Sequence, residues 1–192
     1  GPVGLKSILD SYWQSNNFDI EIRIKDEERP DIRTLVNAHE FSAGTILTNN
    51  EVHVSALKNI HPPVTESYAF KFKLNDKLIV FSGDTTYCPA LAEFASNADY
   101  LIHEVMYAPA IDELVQRRPK NAARLKASIL SHHTLAEDVG RIASKANVKT
   151  LVLNHFVPSD DKTLTDEVWM NAVRTTFSGN IVVGKDLLEF AI

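Results

Sequence analysis

Five places in the sequence carry side chains that hold metal ions or move protons, each at or just after an apolar run. They are His61 in NIHPPV, Asp84 in IVFSGDT, His103 and Glu104 in YLIHEV, His132 and His133 in LSHHT, and His155 in LVLNHF. An open sheet puts its ligand-binding loops at such strand ends. Taken singly, each has an ordinary explanation. A lone histidine at a strand end is usually a surface or hydrogen-bonded residue. An aspartate in a Gly-Asp-Thr turn is usually an Asx turn or helix N-cap, its carboxylate accepting nearby backbone N–H groups. Together these residues supply imidazole nitrogens and carboxylate oxygens, the donors suited to zinc and similar divalent ions, and one carboxylate can bridge two of them. Two metals about 3.5–4 Å apart lower the pKa of a bridging water toward about 7 and neutralise charge growing on a carbonyl or phosphoryl oxygen. The chemistry indicated is metal-assisted hydrolysis.

The elements that must position these residues change style along the chain. Leu5, Ile8, Leu9, Tyr12 and Trp13 recur at helical spacing, which predicts an opening helix that stops near Asn16 and Asn17. Phe18, Ile20, Ile22 and Ile24 then alternate with polar residues, which predicts a strand followed by a loop through KDEERPD. From residue 45 the pattern is a meander: two strands turning at Asn49 and Asn50, SYAFKFKL alternating over 67–74, and a turn at Asn75 and Asp76 into KLIVFSGDT. After residue 85, helical stretches near 89–97, 107–118, 121–130, 135–146 and 164–176 alternate with strands at 100–105, 150–154 and 181–184, before a short LLEF ending. A meander followed by strand and helix alternation predicts an α/β layered architecture.

Composition narrows the class further. The 192 residues suit one domain, or a large piece of one. Hydrophobic residues at 44% and charged residues at 23% are globular values, so a packed core is expected. The net charge of −5 comes from interspersed signs and offers no basic face for a phosphate backbone. Cys88 stands alone, which excludes a disulfide-stapled scaffold and leaves the compartment undecided. No apolar run approaches the ~20 residues that span a bilayer.

In this order along the chain, HPPV, FSGDT, LIHEVMY, SHHTLAEDVGRIA and LVLNHFVP resemble the second half of metallo-β-lactamase-fold hydrolases, in the ribonuclease Z and arylsulfatase-like branch. The resemblance covers nearly the whole chain. It implies an α/β fold, a four-layer αβ/βα sandwich of the metallo-β-lactamase type with its amino-terminal portion missing, and a single partial domain over 1–192. It implies that His61 ligates a first metal, Asp84 bridges both and His155 ligates the second, with Asp84 and His133 as the catalytic residues. His133 is the group that would orient or donate a proton to the reacting atom. His103 and Glu104 are expected to fix the ligands' orientation. His132 is expected to point away, and His39 and His53 match no role.

The chain departs from that family in two ways. The HxHxDH segment, which supplies the other ligands and the water-activating Asp, is absent from the 192 residues, and the chain starts with GPVGL, a segment the family places after it. Each metal would keep one histidine plus Asp84, whereas catalytic zinc normally has three protein ligands. Two divalent metals, zinc first among them, are therefore expected in a complete enzyme and partial or no occupancy in this chain. The last ligand motif also continues as Phe-Val-Pro-Ser-Asp-Asp where ribonuclease Z proteins carry Arg-Tyr. These features lead to an expected hydrolase of a small ester or phosphoester, acting through a metal-bound hydroxide and impaired at this length. Nucleic acid and membrane are not expected as partners; self-association, or association with an amino-terminal half, is. The alternative is a non-catalytic family member serving as an assembly or regulatory subunit. A haloacid-dehalogenase reading of GDTTYC fails, because Cys88 stands where a second Asp is needed and no DxDxT precedes it. A nicotinamide-binding reading fails because no GxGxxG follows a strand.

Overall fold

A computed structural model describes residues 1–117 and 120–189. The chain forms two compact units, Gly1–Ser42 and Ala43–Ile192. The first unit holds helices α1 (Leu5–Ser15) and α2 (Asn17–Glu27) and a 3-10 turn at Ile32–Leu35. The α1 boundaries agree with the apolar spacing. The strand expected over 18–24 is instead α2, a correction with a physical cause. Residues 18 and 22, and 20 and 24, are also helical i,i+4 neighbours, so alternation alone does not separate the two structures. Charges at the same spacing favour the helix: Arg23 contacts Asp19 at 2.8 Å and Glu27 at 3.4 Å. A helix closes its own backbone hydrogen bonds, whereas a strand needs a neighbour. Arg33 then ties the helix down through Asn17 and Glu21, both at 2.9 Å.

The second unit is built on one seven-stranded sheet in the order β1-β2-β3-β4-β5-β6-β7. The strands are β1 (Gly44–Thr48), β2 (Val52–Lys58), β3 (Tyr68–Leu74), β4 (Lys77–Phe81), β5 (Tyr100–Met106), β6 (Thr150–Val157) and β7 (Asn180–Val183). β1 to β4 pair antiparallel as the expected meander, and β4 to β7 pair parallel. Parallel neighbours require crossovers. Helix α3 (Ala90–Phe94) makes the first, α4 (Ala108–Gln116), α5 (Ala122–His132) and α6 (Ala136–Ala146) make the second, and α7 (Asp166–Arg174) makes the third. The expected α/β layering is thus observed. Residue 118 of the helical stretch expected over 107–118, and Phe190 of the LLEF ending, lie outside the described residues.

The main core lies between the parallel strands and their helices. Leu101, Val105, Leu151 and Leu153 are fully buried with Val139 and Ala143 of α6 and Val173 of α7. Gly140 lets α6 approach α7, since a Cβ there would stand 2.7 Å from the Val173 carbonyl oxygen. The alternate residues of the same strands, including Tyr100, Ile102 and Val152, line a trough of about 870 Å³ on the other face, with Phe72 and Phe81 of the meander.

Candidate metal centre

The chemistry-bearing residues gather where β4, β5 and β6 end, the usual ligand edge of an open sheet with parallel strands. After β4 the chain turns through Ser82, Gly83 and Asp84. Gly83 is required there: its φ is +59°, and a Cβ would lie 2.8 Å from the Tyr68 carbonyl oxygen. His155 arrives differently. Glu104 pairs with Asn154 and Val105 with Phe156, so His155 is the extra residue of a bulge in β6, at φ +43°. Bulges re-aim side chains beside functional sites, and a non-glycine residue at positive φ is held by its surroundings. The result is a close pair, with His155 Nε2 3.3 Å from Asp84 Oδ2 and both side chains near half exposed.

His61, from the loop after β2, joins from the other side. Its Nδ1 lies 3.1 Å from the His132 carbonyl oxygen. A carbonyl only accepts, so Nδ1 carries the hydrogen and the Nε2 lone pair is left free to ligate. The imidazoles form a run: His132 to His61 at 5.3 Å between ring centroids, His61 to His133 at 6.0 Å, and His133 to His155 at 5.4 Å. The expectation that His132 points away is therefore corrected. It closes α5, and its ring lies beside His61 because the helix end and the His61 loop share that backbone hydrogen bond. Burial, then the charges of His61 and His133, push the His132 pKa down.

Glu104 organises the interior of the site. Its carboxylate is 1% exposed, and Oε1 accepts the backbone N–H of Thr134 at 2.8 Å and of Thr85 at 3.3 Å. One buried oxygen thus joins the loop after Asp84 to the loop after His133. The other, Oε2, lies 3.4 Å from His133 Nδ1, within ion-pair range but off line for a hydrogen bond. Thr134 Oγ1 adds a third link by donating to the Thr85 carbonyl at 2.6 Å. His103, fully buried on the opposite face of β5, donates from Nδ1 to the Glu104 carbonyl at 2.6 Å, and its pKa is pushed down by burial. Sequence reasoning did not single out Thr85 and Thr134, although each directly follows a candidate site residue. His53 bonds Thr48 Oγ1 at 2.8 Å in the meander, apart from this cluster, and His39 belongs to the Gly1–Ser42 unit.

The donor chemistry suits a divalent cation. Ligands about 2.0–2.2 Å from a tetrahedral ion stand roughly 3.3–3.6 Å from one another. The Asp84 and His155 atoms already have that separation. Among the described residues, no group of three His, Cys, Asp or Glu side chains is set to enclose an ion.

Comparison with known structures gives the class first. The metallo-β-lactamase-fold protein YhfI from Bacillus subtilis superposes with a TM-score of 0.58 at 24% identity, over 84% of this chain and 60% of that one. The diiron β-hydroxylase CmlA from Streptomyces venezuelae does so at 0.50 and 11% identity, over 79% of this chain and 34% of that one. The chain has the metallo-β-lactamase fold, which by itself leaves the reaction open. Sequence then narrows the likeness. Ribonuclease Z of Mycobacterium tuberculosis H37Rv is 29% identical over 187 residues, or 97% of this chain, and ribonuclease Z of Mycobacterium marinum matches at the same identity and coverage. The chain spans 66% and 64% of the lengths of these two relatives. No family model matches. The resemblance to ribonuclease Z read from the motifs therefore stands, whereas the expectation of a small-molecule partner, with nucleic acid not expected, is overturned, because these relatives are ribonucleases. The physical error was to read a net charge of −5, a sum over the whole chain, as if it were the field at one site. Among the described residues, no helix is long and apolar enough to cross a membrane.

Proposed function

We propose that this chain carries part of the centre of a metal-dependent ribonuclease that hydrolyses RNA phosphodiester bonds. In this reading His61, Asp84 and His155 would hold divalent metal, zinc first, with Asp84 the ligand that would serve both positions. The carrying observation is the Asp84–His155 pair at 3.3 Å, with the Nε2 of His61 left free on the other side of His133. The similarity to ribonuclease Z supports RNA as the substrate class. When bound, the metals supply positive charge at the phosphoryl group and acidify water.

The chain's own residues handle the leaving group. His133 has Nδ1 toward Glu104, so Nε2 is the nitrogen that can give a proton to the departing ribose oxygen as the P–O bond breaks. The buried Glu104 carboxylate, 3.4 Å from Nδ1, faces that edge of the ring and sets its orientation. The test is cleavage of a labelled precursor tRNA with added Zn²⁺ or Mn²⁺, in parallel with metal analysis. In a protein that also carries the HxHxDH segment, the parent should cleave, Asp84→Ala should lose activity at least about a thousandfold together with bound metal, and His155→Ala should lose part of the metal. Cleavage and metal content that are unchanged in Asp84→Ala would overturn the assignment.

A further inference from the structure

Asn59 directly follows β2, two residues before His61, and it is 7% exposed. Its Nδ2 donates to the Ser82 carbonyl at 2.8 Å and to the Asp84 carbonyl at 3.2 Å. One amide thus grips the turn on both sides of Gly83. The amide orientation is fixed by chemistry, since turning it over would set Oδ1 against two carbonyl oxygens. Gly83 is fitted to the same contact: a Cβ there would come within 3.1 Å of Asn59 Nδ2. Thr85 Oγ1 continues the join by accepting the Ile60 N–H at 3.1 Å, and Thr86 N–H donates to the Ile60 carbonyl at 2.8 Å. Asn59 Oδ1, by contrast, is buried without a hydrogen-bond partner. A buried amide with one end unsatisfied is unfavourable on packing grounds alone, so the value of the residue lies in what its other end orders.

We infer that Asn59 is a positioning residue that sets the separation of His61 and Asp84 by clamping the Ser82–Asp84 turn to the His61 loop. The inference rests on the metal reading of those two residues. It does not depend on Glu104, which holds the far side of the same turn through Thr85. The clamp requires a donor, and Asn59→Asp is nearly isosteric while replacing the donor with an oxygen.

The experiment compares wild type, Asn59→Asp and Val173→Ala, the last a core truncation in α7 that loosens the fold away from the site. Two readouts are taken: Co²⁺ titration followed by visible absorption, and hydrogen exchange of the 83–86 amides in metal-free protein. Partners that orient metal ligands typically change affinity by about 10–100-fold when mutated. Asn59→Asp should weaken Co²⁺ binding by that factor and speed exchange at 83–86, whereas Val173→Ala should do neither selectively. Equal losses in both variants, or an unchanged Asn59→Asp, would overturn the inference. Should wild type bind no Co²⁺, as the absence of HxHxDH ligands from these residues allows, exchange alone decides, and unchanged exchange at 83–86 in Asn59→Asp overturns the inference.

Discussion

β1 and β5 belong to one sheet and live in opposite environments. β1 is mostly exposed, with Leu47 at 49%, whereas β5 is buried from His103 to Met106 and has helices packed on one face. The antiparallel edge makes its own hairpin contacts and supplies only His61 to the cluster. The parallel half supplies Asp84, Glu104 and His155, on or just after strands that send residues into the core, and His133, which follows α5. Rigid packing behind a site holds its side chains where chemistry needs them. The difference teaches that position in this sheet, rather than residue type, separates His155 from His53.

The largest expected effect tests that contrast directly. Leu151→Ala in β6, at 0% exposure, should reduce unfolding free energy by about 2–5 kcal/mol in urea titrations; a loss below about 1 kcal/mol would mean that the parallel half is not the rigid one. Gly140→Ala comes next, because the new methyl meets Thr176 and the Val173 carbonyl and must push α7 outward, at about 1–3 kcal/mol. A stability unchanged by this substitution would show that the two helices pack loosely.

A smaller effect concerns acid. Burial lowers the pKa of His103 below its reference value of 6.5, so folding favours the neutral ring. The unfolded chain therefore takes up the proton first as pH falls. This stability contribution is complete above about 6.5 and is lost as pH drops from there through the depressed folded value. His103→Gln should show less stability loss between pH 7.5 and 5 than wild type, and an identical loss would dismiss the histidine. His132 is shifted the same way but stays in both proteins, so the difference isolates His103. Leu47→Ser at the exposed edge should change stability by no more than about 0.5 kcal/mol. A larger loss there would erase the contrast between the two edges.

Much of this molecule was legible in the sequence for a physical reason. Strand alternation at 67–74, helical spacing at 135–146 and the motif residues at strand ends are local patterns, and the structure keeps them in β3, α6 and the ligand edge. What escaped depends on partners far along the chain. Residues 18–24 satisfy two periods at once, and only the ion pairs of Arg23 and Arg33 decide between them. Glu104 was expected to act in support, but its two backbone donors come from residues 19 and 30 positions away. Asn59 carries no local mark, because its partners lie 23 and 25 positions on. The −5 total misled because summing removes location.

The bulge at His155 also works as a phase reset. Up to Leu153, odd-numbered residues of β6 pack under the helices; beyond the insertion Phe156 takes that duty, its ring 5.1 Å from Trp169 of α7. Drawing His155 into the ladder opposite Val105 would put Phe156 out of step, turning it toward the trough and breaking its ring contact with Trp169. Straightening the strand with His155 kept would therefore rewrite which side every later residue faces, whereas removing His155 itself would leave Phe156 on the helix side.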